Sequence, residues 1–216
     1  MVTLLTLFDM NFKKQHWEDV FQNKTPDQVS WTETYPQTSV ELIQSYKLNK
    51  NEPIIDIGGG DSLLVDALLN LSFTNLTVLD ISGKALQRAK DRLGDLARKV
   101  KWIESDILDF KAEEDYALWH DRACFHFLTE PNTIEKYHQI LIQSNAKHLV
   151  LSAFSTLGPL KCSGLPITQY DCEKFDSLFT NHYDQLECKE VSHTTPFKTN
   201  QEFIFSRFKK KSTPKP

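Results

Sequence analysis

The chain has 216 residues, and its 25 lysines and arginines stand against 29 aspartates and glutamates, so its formal net charge is -4. This slightly acidic balance argues against a broad electrostatic surface for nucleic acid. The length suits one α/β domain with a small cap, without a second full domain. The four cysteines lack metal-type spacing, which predicts reduced thiols, no disulfide framework and no metal site.

Both ends of the chain are predicted to lie outside the folded domain. Residues 1–8 are apolar but too short to span a bilayer, and they lack the features of a signal peptide. We therefore expect a cytoplasmic protein without a membrane contact. Met10 is an alternative translation start, which would make the first nine residues an artefact or a mobile extension. Residues 210–216 form a basic tail that is expected to be disordered, the alternative being a nucleic-acid or membrane contact.

Residues 1–48 are predicted to form a helical cap over the domain. The spacing of apolar side chains indicates a short amphipathic helix over residues 12–24, and the turn residues that begin at Thr25 end it. A second helix is expected after Pro36. Between the helices, Trp31 is predicted to close over a bound ligand and to offer an aromatic face to a cation. The alternative role for this tryptophan is to anchor the N-terminal helices.

A strand, a glycine turn and a helix follow the cap and begin the domain predicted for residues 49–209. The apolar, β-branched run 53–57 predicts a buried strand, and three glycines follow it at once. The next strand is predicted over residues 76–79, and Ser82 is placed to start a helix whose apolar residues have helical spacing. This order of elements predicts a βαβ unit.

The same alternation continues through most of the chain. The later strands are predicted over residues 100–103, 116–120, 148–154, 185–194 and 201–209, and the later helices over residues 129–143 and 171–181. The last two strands are joined too closely for a crossover helix, so they are expected to pair as an antiparallel hairpin. The predicted fold is therefore a three-layer, Rossmann-like α/β domain with a seven-stranded, mostly parallel sheet.

The glycine turn after the first strand predicts a ligand site. Gly58 and Gly60 leave backbone amides at a helix N-terminus open to an anionic or polar ligand. The third glycine of a dinucleotide fingerprint is replaced by Leu63, and Asp56 would repel a pyrophosphate but hold the ammonium of an amino-acid moiety. The turn therefore favours S-adenosylmethionine over NAD. A nicotinamide oxidoreductase is the alternative from another class.

Two more acidic residues follow the next two strands. Asp80 is placed to accept hydrogen bonds from both hydroxyls of a ribose. Asp106 is placed to take the exocyclic amine of an adenine, with Ile81 and Ile107 on either side of the ring. Because ligands of parallel sheets bind at the carboxyl ends of the strands, these side chains are expected to line one site. The alternative is that the glycines make a tight turn and the aspartates cap helices.

Two sets of motifs resemble known methyltransferases. Residues 54–60 and 79–82 resemble motifs I and II of class I S-adenosylmethionine-dependent methyltransferases. Residues 29–31, 119–129 and 158–166 resemble a narrower family, formed by mostly uncharacterised bacterial relatives of the mitochondrial citrate synthase lysine methyltransferase. This resemblance spans nearly the whole chain and implies methyl transfer, with a protein lysine as one acceptor.

His120, Asp121 and Arg122 are the candidate catalytic residues at the end of the fourth predicted strand. Methyl transfer from a sulfonium is an in-line displacement, so the enzyme mainly aligns a nucleophile and excludes water. A carboxylate or histidine in this place would orient an amine or accept its proton. Family members that methylate amides or base amines often carry Asn or Asp followed by two prolines here, which this chain lacks. The alternative is a structural ion pair between Asp121 and Arg122.

The sequence leaves the methyl acceptor open. A protein lysine is one candidate, and a small-molecule amine, thiol or hydroxyl is another. A non-catalytic module that binds the cofactor and presents its surface to a partner is a third hypothesis, and it predicts binding without turnover.

Overall fold

One mixed sheet organises the chain, and the computed structural model describes residues 4–212, with side chains from Phe12 onward. The strands are β1 (Ile54–Ile57), β2 (Leu76–Asp80), β3 (Val100–Glu104), β4 (Leu118–Arg122), β5 (His148–Phe154), β6 (Lys161–Cys162), β7 (Leu165–Pro166), β8 (Tyr183–Thr194) and β9 (Asn200–Lys210). The large sheet has the order β3-β2-β1-β4-β5-β9-β8, and β6 pairs with β7 separately. The first five strands are parallel, whereas β9 is antiparallel to β5 and β8. The predicted fold class and terminal hairpin are confirmed.

Within the described residues, six α-helices accompany the sheet. They are α1 (Leu4–Asn23), α2 (Gln37–Ser45), α3 (Leu64–Asn70), α4 (Gly83–Leu93), α5 (Pro131–Gln143) and α6 (Cys172–Phe179). Local sequence explains several starts: the Ser82 hydroxyl accepts a hydrogen bond from the Ala85 amide and caps α4, and proline occupies the first turn of α5. In residues 4–212, none of these helices is long and apolar enough to cross a bilayer.

Apolar side chains cover both faces of the sheet. Successive residues of a strand point to opposite faces, and Ile55 and Ile57 of β1 accordingly pack in one core cluster with Trp119 of β4. Ile54 of β1 and Leu118 of β4 pack in the other cluster. Because helices cover both clusters, the strands are almost continuously apolar and the carboxyl ends of β1 to β5 are left for a ligand.

Several boundaries differ from the sequence prediction, among them the start of α1, the start of β4 and the end of β9. Helix α1 begins at Leu4, earlier than the predicted start at residue 12. Strand β4 begins two residues late, because the backbone amide of Tyr116 bonds to the carbonyl of Ser144 instead of joining the ladder. Strand β9 runs through Lys210, where the tail was expected to start. Residues 1–3 and 213–216, at the ends of the predicted extension and tail, lie outside the described residues.

A disulfide corrects the prediction of four reduced thiols. Cys172, at the start of α6, is bonded to Cys188 of β8, and the two Cα atoms lie 5.8 Å apart. The sequence separation of 16 residues gave no motif, because the pair is brought together by the packing of α6 beside the edge strand. Cys124 and Cys162 remain as thiols.

Candidate active site

The glycine turn follows β1 and has the backbone that the sequence predicts. Gly58 and Gly60 have φ angles of +64° and +40°, a region that side chains disfavour. A Cβ on Gly58 would lie 2.8 Å from Cβ of Cys124, and one on Gly60 would lie 2.8 Å from a carboxylate oxygen of Asp80. The turn therefore excludes larger residues through its own packing as well as through any ligand beside it.

Asp80 ends β2 beside this turn, buried at 7% exposure. Its Oδ1 accepts a hydrogen bond of 2.8 Å from the Ser82 amide. Burial raises the pKa of the Asp80 carboxyl to about 7, and the nearby carboxylates of Asp56 and Glu18 add to the rise. The carboxyl is therefore half-ionised near neutral pH, and hydroxyl donors from a ligand would favour its ionised form.

Glu18 of α1 supplies a contact that the sequence reasoning missed. Its two carboxylate oxygens accept hydrogen bonds from the Gly83 amide at 2.8 Å, the Ser82 hydroxyl at 3.2 Å and the Lys84 amide at 3.3 Å. A carboxylate at a helix N-terminus is favoured by the unpaired amides and the helix dipole. Glu18 thus docks α1 on the start of α4, next to Asp80. No local motif signals a contact over 64 residues.

The end of β3 has the residues predicted for an adenine. Oδ1 of Asp106 accepts a hydrogen bond of 2.9 Å from the Leu108 amide, and burial raises the pKa of this carboxyl. Asp106 therefore does cap a short helical turn, as the structural alternative stated, and it also lines the cavity described below. Ile81 and the buried Ile107 line the same cavity.

His120 of β4 forms a buried chain of hydrogen bonds with Asp56. Its Nδ1 lies 2.6 Å from Oδ1 of Asp56, and its Nε2 lies 2.9 Å from the hydroxyl of Ser39 on α2. Both ring nitrogens are therefore engaged. Asp56 and His120 line the cavity, as expected, but Ser39 was missed because a serine within a helix has no distinctive sequence signal.

Asp121 lies on the opposite face of β4 and is fully buried. Its Oδ1 accepts hydrogen bonds from the amides of Cys124 and Phe125 at 2.9 and 3.0 Å, and its Oδ2 accepts one of 2.8 Å from the hydroxyl of Tyr137. Burial raises its pKa to about 6. The cavity lining does not include Asp121. The alternative ion pair with Arg122 is wrong, since consecutive strand residues point in opposite directions.

Arg122 points to the cavity side of the sheet. Its Nη1 donates a hydrogen bond of 3.0 Å to the carbonyl of Trp31, its Nε lies 3.5 Å from Oε2 of Glu33, and its guanidinium lies over the ring of Phe203. Burial lowers its pKa. Within residues 4–212, Nε and Nη2 are buried without a hydrogen-bond partner. Glu33 is a further cavity residue that sequence reasoning missed.

Aromatic side chains close the site on the side of the cap. The ring of Trp17 on α1 lies edge-on to Trp31 at 5.9 Å and to Phe127 at 5.2 Å between centroids. Phe21 also contacts Trp31, at 6.4 Å. Trp31 therefore anchors the N-terminal helix, as one alternative predicted, and it also lines the cavity, whereas its closing over a bound ligand stays a prediction.

These groups surround one cavity of about 650 Å³. It follows the carboxyl ends of β1 to β4, and its other walls come from α1, the segment before α2 and the β6–β7 hairpin. Every predicted cofactor residue lines it: Trp31, Asp56, Gly58, Gly60, Asp80, Ile81, Asp106 and Ile107. Its volume is in the range of pockets that enclose a drug-sized molecule. In the part of the chain that the structure describes, no cluster of side chains is suited to a metal ion.

A family model described as a methyltransferase domain matches residues 54–143, which contain the glycine turn, Asp80, Asp106 and β4. The comparison with curated protein sequences finds no match.

Solved structures share the fold of nearly the whole chain. An S-adenosylmethionine-dependent methyltransferase from Anabaena variabilis is 19% identical with a TM-score of 0.67, and the alignment covers 94% of this chain and 95% of that one. The N-methyltransferase NodS from Bradyrhizobium japonicum, in complex with S-adenosylhomocysteine, is 17% identical with a TM-score of 0.66, and the alignment covers 92% of this chain and 98% of that one. A 1,6-didemethyltoxoflavin N1-methyltransferase from Burkholderia thailandensis is 14% identical with a TM-score of 0.66, and the alignment covers 94% of this chain and 86% of that one.

Proposed function

We propose that this chain, which is an S-adenosylmethionine-dependent methyltransferase with a methyltransferase domain in residues 54–143, methylates an amine nitrogen. The observation that supports an amine is that the cavity lining includes both the rings of Trp17, Trp31 and Phe127 and the carboxylate of Glu33, which lies 3.5 Å from Nε of Arg122 and 4.0 Å from Nδ1 of His193. A carboxylate beside aromatic faces attracts a cation, whereas a thiol or hydroxyl acceptor has no charge that would use it.

The cofactor is assigned to the residues that were predicted for it. Asp106 and the two isoleucines would hold the adenine, Asp80 the ribose and Asp56 the ammonium of the methionine moiety. Gly58 and Gly60 let the backbone approach the ligand, and Trp31 covers it. When bound, S-adenosylmethionine supplies an electrophilic methyl group on its sulfonium.

The protein's part in the reaction is to position groups and to exclude water. Glu33 would hold the ammonium form of the acceptor at the cavity, and this ammonium must give a proton to solvent water before the site closes. The nitrogen lone pair would then form a bond to the methyl group while the bond from sulfur to methyl breaks, with S-adenosylhomocysteine as the leaving group. His120 is a positioning residue in this proposal, because Asp56 and Ser39 occupy both of its ring nitrogens. Asp121, on the far face of β4, would act only through the fold.

A slender alkyl amine, such as the side chain of a protein lysine, is the acceptor that we favour. A cavity of about 650 Å³ is filled in large part by a cofactor of drug size, which leaves room for a narrow group. The resemblance of residues 119–129 to relatives of a lysine methyltransferase supports the same acceptor.

A free small-molecule amine is the second candidate. Two of the structural neighbours, NodS and the didemethyltoxoflavin enzyme, are N-methyltransferases, and they align over at least 86% of their own lengths. The same Glu33 and aromatic wall would serve such an acceptor.

The test is transfer of an isotope-labelled methyl group from S-adenosylmethionine. The purified chain is incubated with native protein extract, with lysine peptides and with panels of small amines, thiols and alcohols. We expect label on amines and, in proteins, on lysine. Label on a thiol or alcohol alone would refute the amine assignment, and label on free amines alone would replace the protein lysine with the second candidate.

A variant of Glu33 tests the recognition step. Glu33→Gln is expected to raise the KM for the amine about tenfold or more while kcat changes less, since loss of a charged hydrogen bond costs about 1.5–3 kcal/mol. The control is Glu41→Gln on α2, which removes an exposed carboxylate that lies outside the cavity lining. An unchanged KM in Glu33→Gln would remove Glu33 from the acceptor site.

A further inference from the structure

We propose that Arg122 binds the carboxylate of the methionine moiety of S-adenosylmethionine. The proposal rests on the cofactor assigned above and gives Arg122 a positioning role in place of a chemical one. Its starting point is a guanidinium that lines the cavity: within residues 4–212 its buried Nε and Nη2 have no hydrogen-bond partner, and Nε has an ion-pair contact of 3.5 Å with Oε2 of Glu33. An unpaired buried donor costs free energy, so such donors in a cavity indicate a missing acceptor.

The order of the strands puts Arg122 at the correct end of the ligand. Across the crevice the strand ends follow the sequence β3, β2, β1, β4, and they present Asp106, Asp80, the glycine turn and Arg122 in that order. Neighbouring strands lie about 4.8 Å apart, so the crevice from β3 to β4 is about 14 Å long. A ligand with its adenine at β3 and its ribose at β2 therefore extends its amino-acid end towards β1 and β4.

The charges near Arg122 fit a zwitterion. Glu33 and then Asp56 are the carboxylates that interact most strongly with the charge of Arg122, and both line the cavity. The ammonium of the methionine moiety would face Asp56, while its carboxylate would accept hydrogen bonds from Arg122. Arginine can present two parallel donors to a carboxylate, which a lysine or an amide cannot match.

The guanidinium is also held in place before any ligand binds. Nη1 is fixed by the carbonyl of Trp31, Nε lies 3.5 Å from Glu33, and the group lies 5.2 Å from the ring centroid of Phe203. These contacts hold the side chain in place and leave Nη2, together with the Nε that Glu33 contacts only at 3.5 Å, to donate hydrogen bonds to a carboxylate. A fixed donor of this kind loses little conformational entropy when it binds a carboxylate.

Calorimetric binding of two ligands tests the proposal. S-adenosylhomocysteine carries the amino-acid moiety, whereas 5′-methylthioadenosine keeps the adenosine and the thioether but lacks it. Arg122→Gln is expected to weaken binding of S-adenosylhomocysteine about 10- to 100-fold and to change binding of methylthioadenosine less than about twofold. Arg122→Lys, which keeps the charge, is expected to lie between Arg122→Gln and the unaltered chain.

The control is Arg207→Gln, which removes a partly buried arginine that bonds to Glu187 on the terminal hairpin, away from the cavity. It should leave both affinities unchanged. Equal weakening of both ligands in Arg122→Gln would show a general disturbance of the pocket and overturn the proposal. Unchanged affinity for S-adenosylhomocysteine would also overturn it.

Two results separate this proposal from the function on which it rests. Failure of the unaltered chain to bind S-adenosylhomocysteine would refute the cofactor assignment itself. If Arg122→Gln does not fold, Arg122→Lys alone decides, because it must lose affinity for S-adenosylhomocysteine relative to methylthioadenosine.

Discussion

The two faces of β4 do different work. On one face, His120 and Arg122 line the cavity and contact Asp56 and Glu33. On the other, Asp121 accepts hydrogen bonds from the hydroxyl of a tyrosine and from two backbone amides inside an apolar core. Three adjacent residues that read as one catalytic group in the sequence are thus divided by the pleat of the strand. Polarity alone therefore does not mark a residue as part of a ligand site.

Loss of the buried carboxylate should produce the largest effect and is the strongest test of this division. Asp121→Ala removes the acceptor of three hydrogen bonds and leaves buried donors unpaired, so we expect about 3 kcal/mol less free energy of unfolding. Urea denaturation measures it, with Asp95→Ala as an exposed control. If the variant keeps its stability and loses turnover instead, the two faces do not divide structure from function.

Asp80 provides the corresponding test on the cavity side. Asp80→Asn is expected to weaken binding of S-adenosylhomocysteine by about 1–3 kcal/mol, with a smaller effect on unfolding than Asp121→Ala has. Calorimetry measures the affinity, and Asp91→Asn on the exposed side of α4 is the control. An unchanged affinity would remove Asp80 from the ribose site.

The raised pKa of Asp80 sharpens this test through pH. Between pH 6 and pH 8 the ionised fraction of a carboxyl with a pKa of about 7 rises from about a tenth to about nine tenths, so affinity should rise about tenfold. In the absence of ligand, the effect of pH on the stability of the fold has the opposite sign to its effect on affinity. The folded state keeps a proton that the unfolded chain releases near its usual pKa, so this group's contribution to stability is lost as pH rises from about 4 to 7. Asp80→Asn should remove most of the affinity slope and reduce the stability slope, to which Asp121, with a pKa of about 6, also contributes. Slopes equal to those of the unaltered chain would contradict this origin.

A variant of Glu18 tests whether the docking of α1 on α4 supports ligand binding in the cavity. Glu18→Gln removes a charge from the N-terminus of α4, and we expect about 1 kcal/mol less protection of the α1 amides in hydrogen exchange. Binding of S-adenosylhomocysteine should weaken a few-fold, because α1 forms a wall of the cavity. The matched control is Asp19→Asn, the exposed neighbour on the same helix. Equal exchange rates in the two variants would contradict the docking role.

The smallest effect is expected at Ser39. Ser39→Ala removes the partner of Nε2 of His120 but leaves the bond from Nδ1 to Asp56, so affinity for S-adenosylhomocysteine should fall by less than about 1 kcal/mol. Calorimetry at one pH measures this change, with Ser45→Ala on the same helix as the control. A loss as large as that of Asp80→Asn would mean that His120 itself contacts the ligand.

The fold was predictable because its signals are local and repeated. Strand β5 was predicted at its observed bounds, His148–Phe154, from an apolar run, and Ser82 was recognised as the cap of α4. The start of β4 was missed because Tyr116 is as buried and apolar as a strand residue, although its amide bonds to a loop carbonyl. Burial can be read from residue type, but hydrogen-bond pairing depends on where distant segments lie.

The residues of the candidate site that follow strand ends could be predicted from the sequence, whereas those on helices and loops could not. The topology of a parallel sheet brings Asp56, Asp80 and Asp106 to one crevice, so their spacing along the chain was sufficient. Glu18 and Glu33 come from segments whose docking depends on side-chain packing across the crevice. The bonding of Cys172 to Cys188 is hidden for the same reason, since two unrelated elements meet there.

The disulfide has a consequence for the wall of the cavity that the β6–β7 hairpin forms. The segment that contributes Cys162, Leu165 and Pro166 to the cavity starts at Ser155, whose amide bonds to Glu202 of β9, and ends just before Cys172. Both ends of this loop are thus attached to the terminal hairpin. The Ser155 end is attached by a hydrogen bond, and the end next to Cys172 by the disulfide. This wall of the cavity is therefore tied to the rest of the fold before any ligand binds. Reduction of the disulfide would remove the covalent tie and leave the hydrogen bond from the Gln185 side chain to the carbonyl of Cys172 to hold that end of the loop.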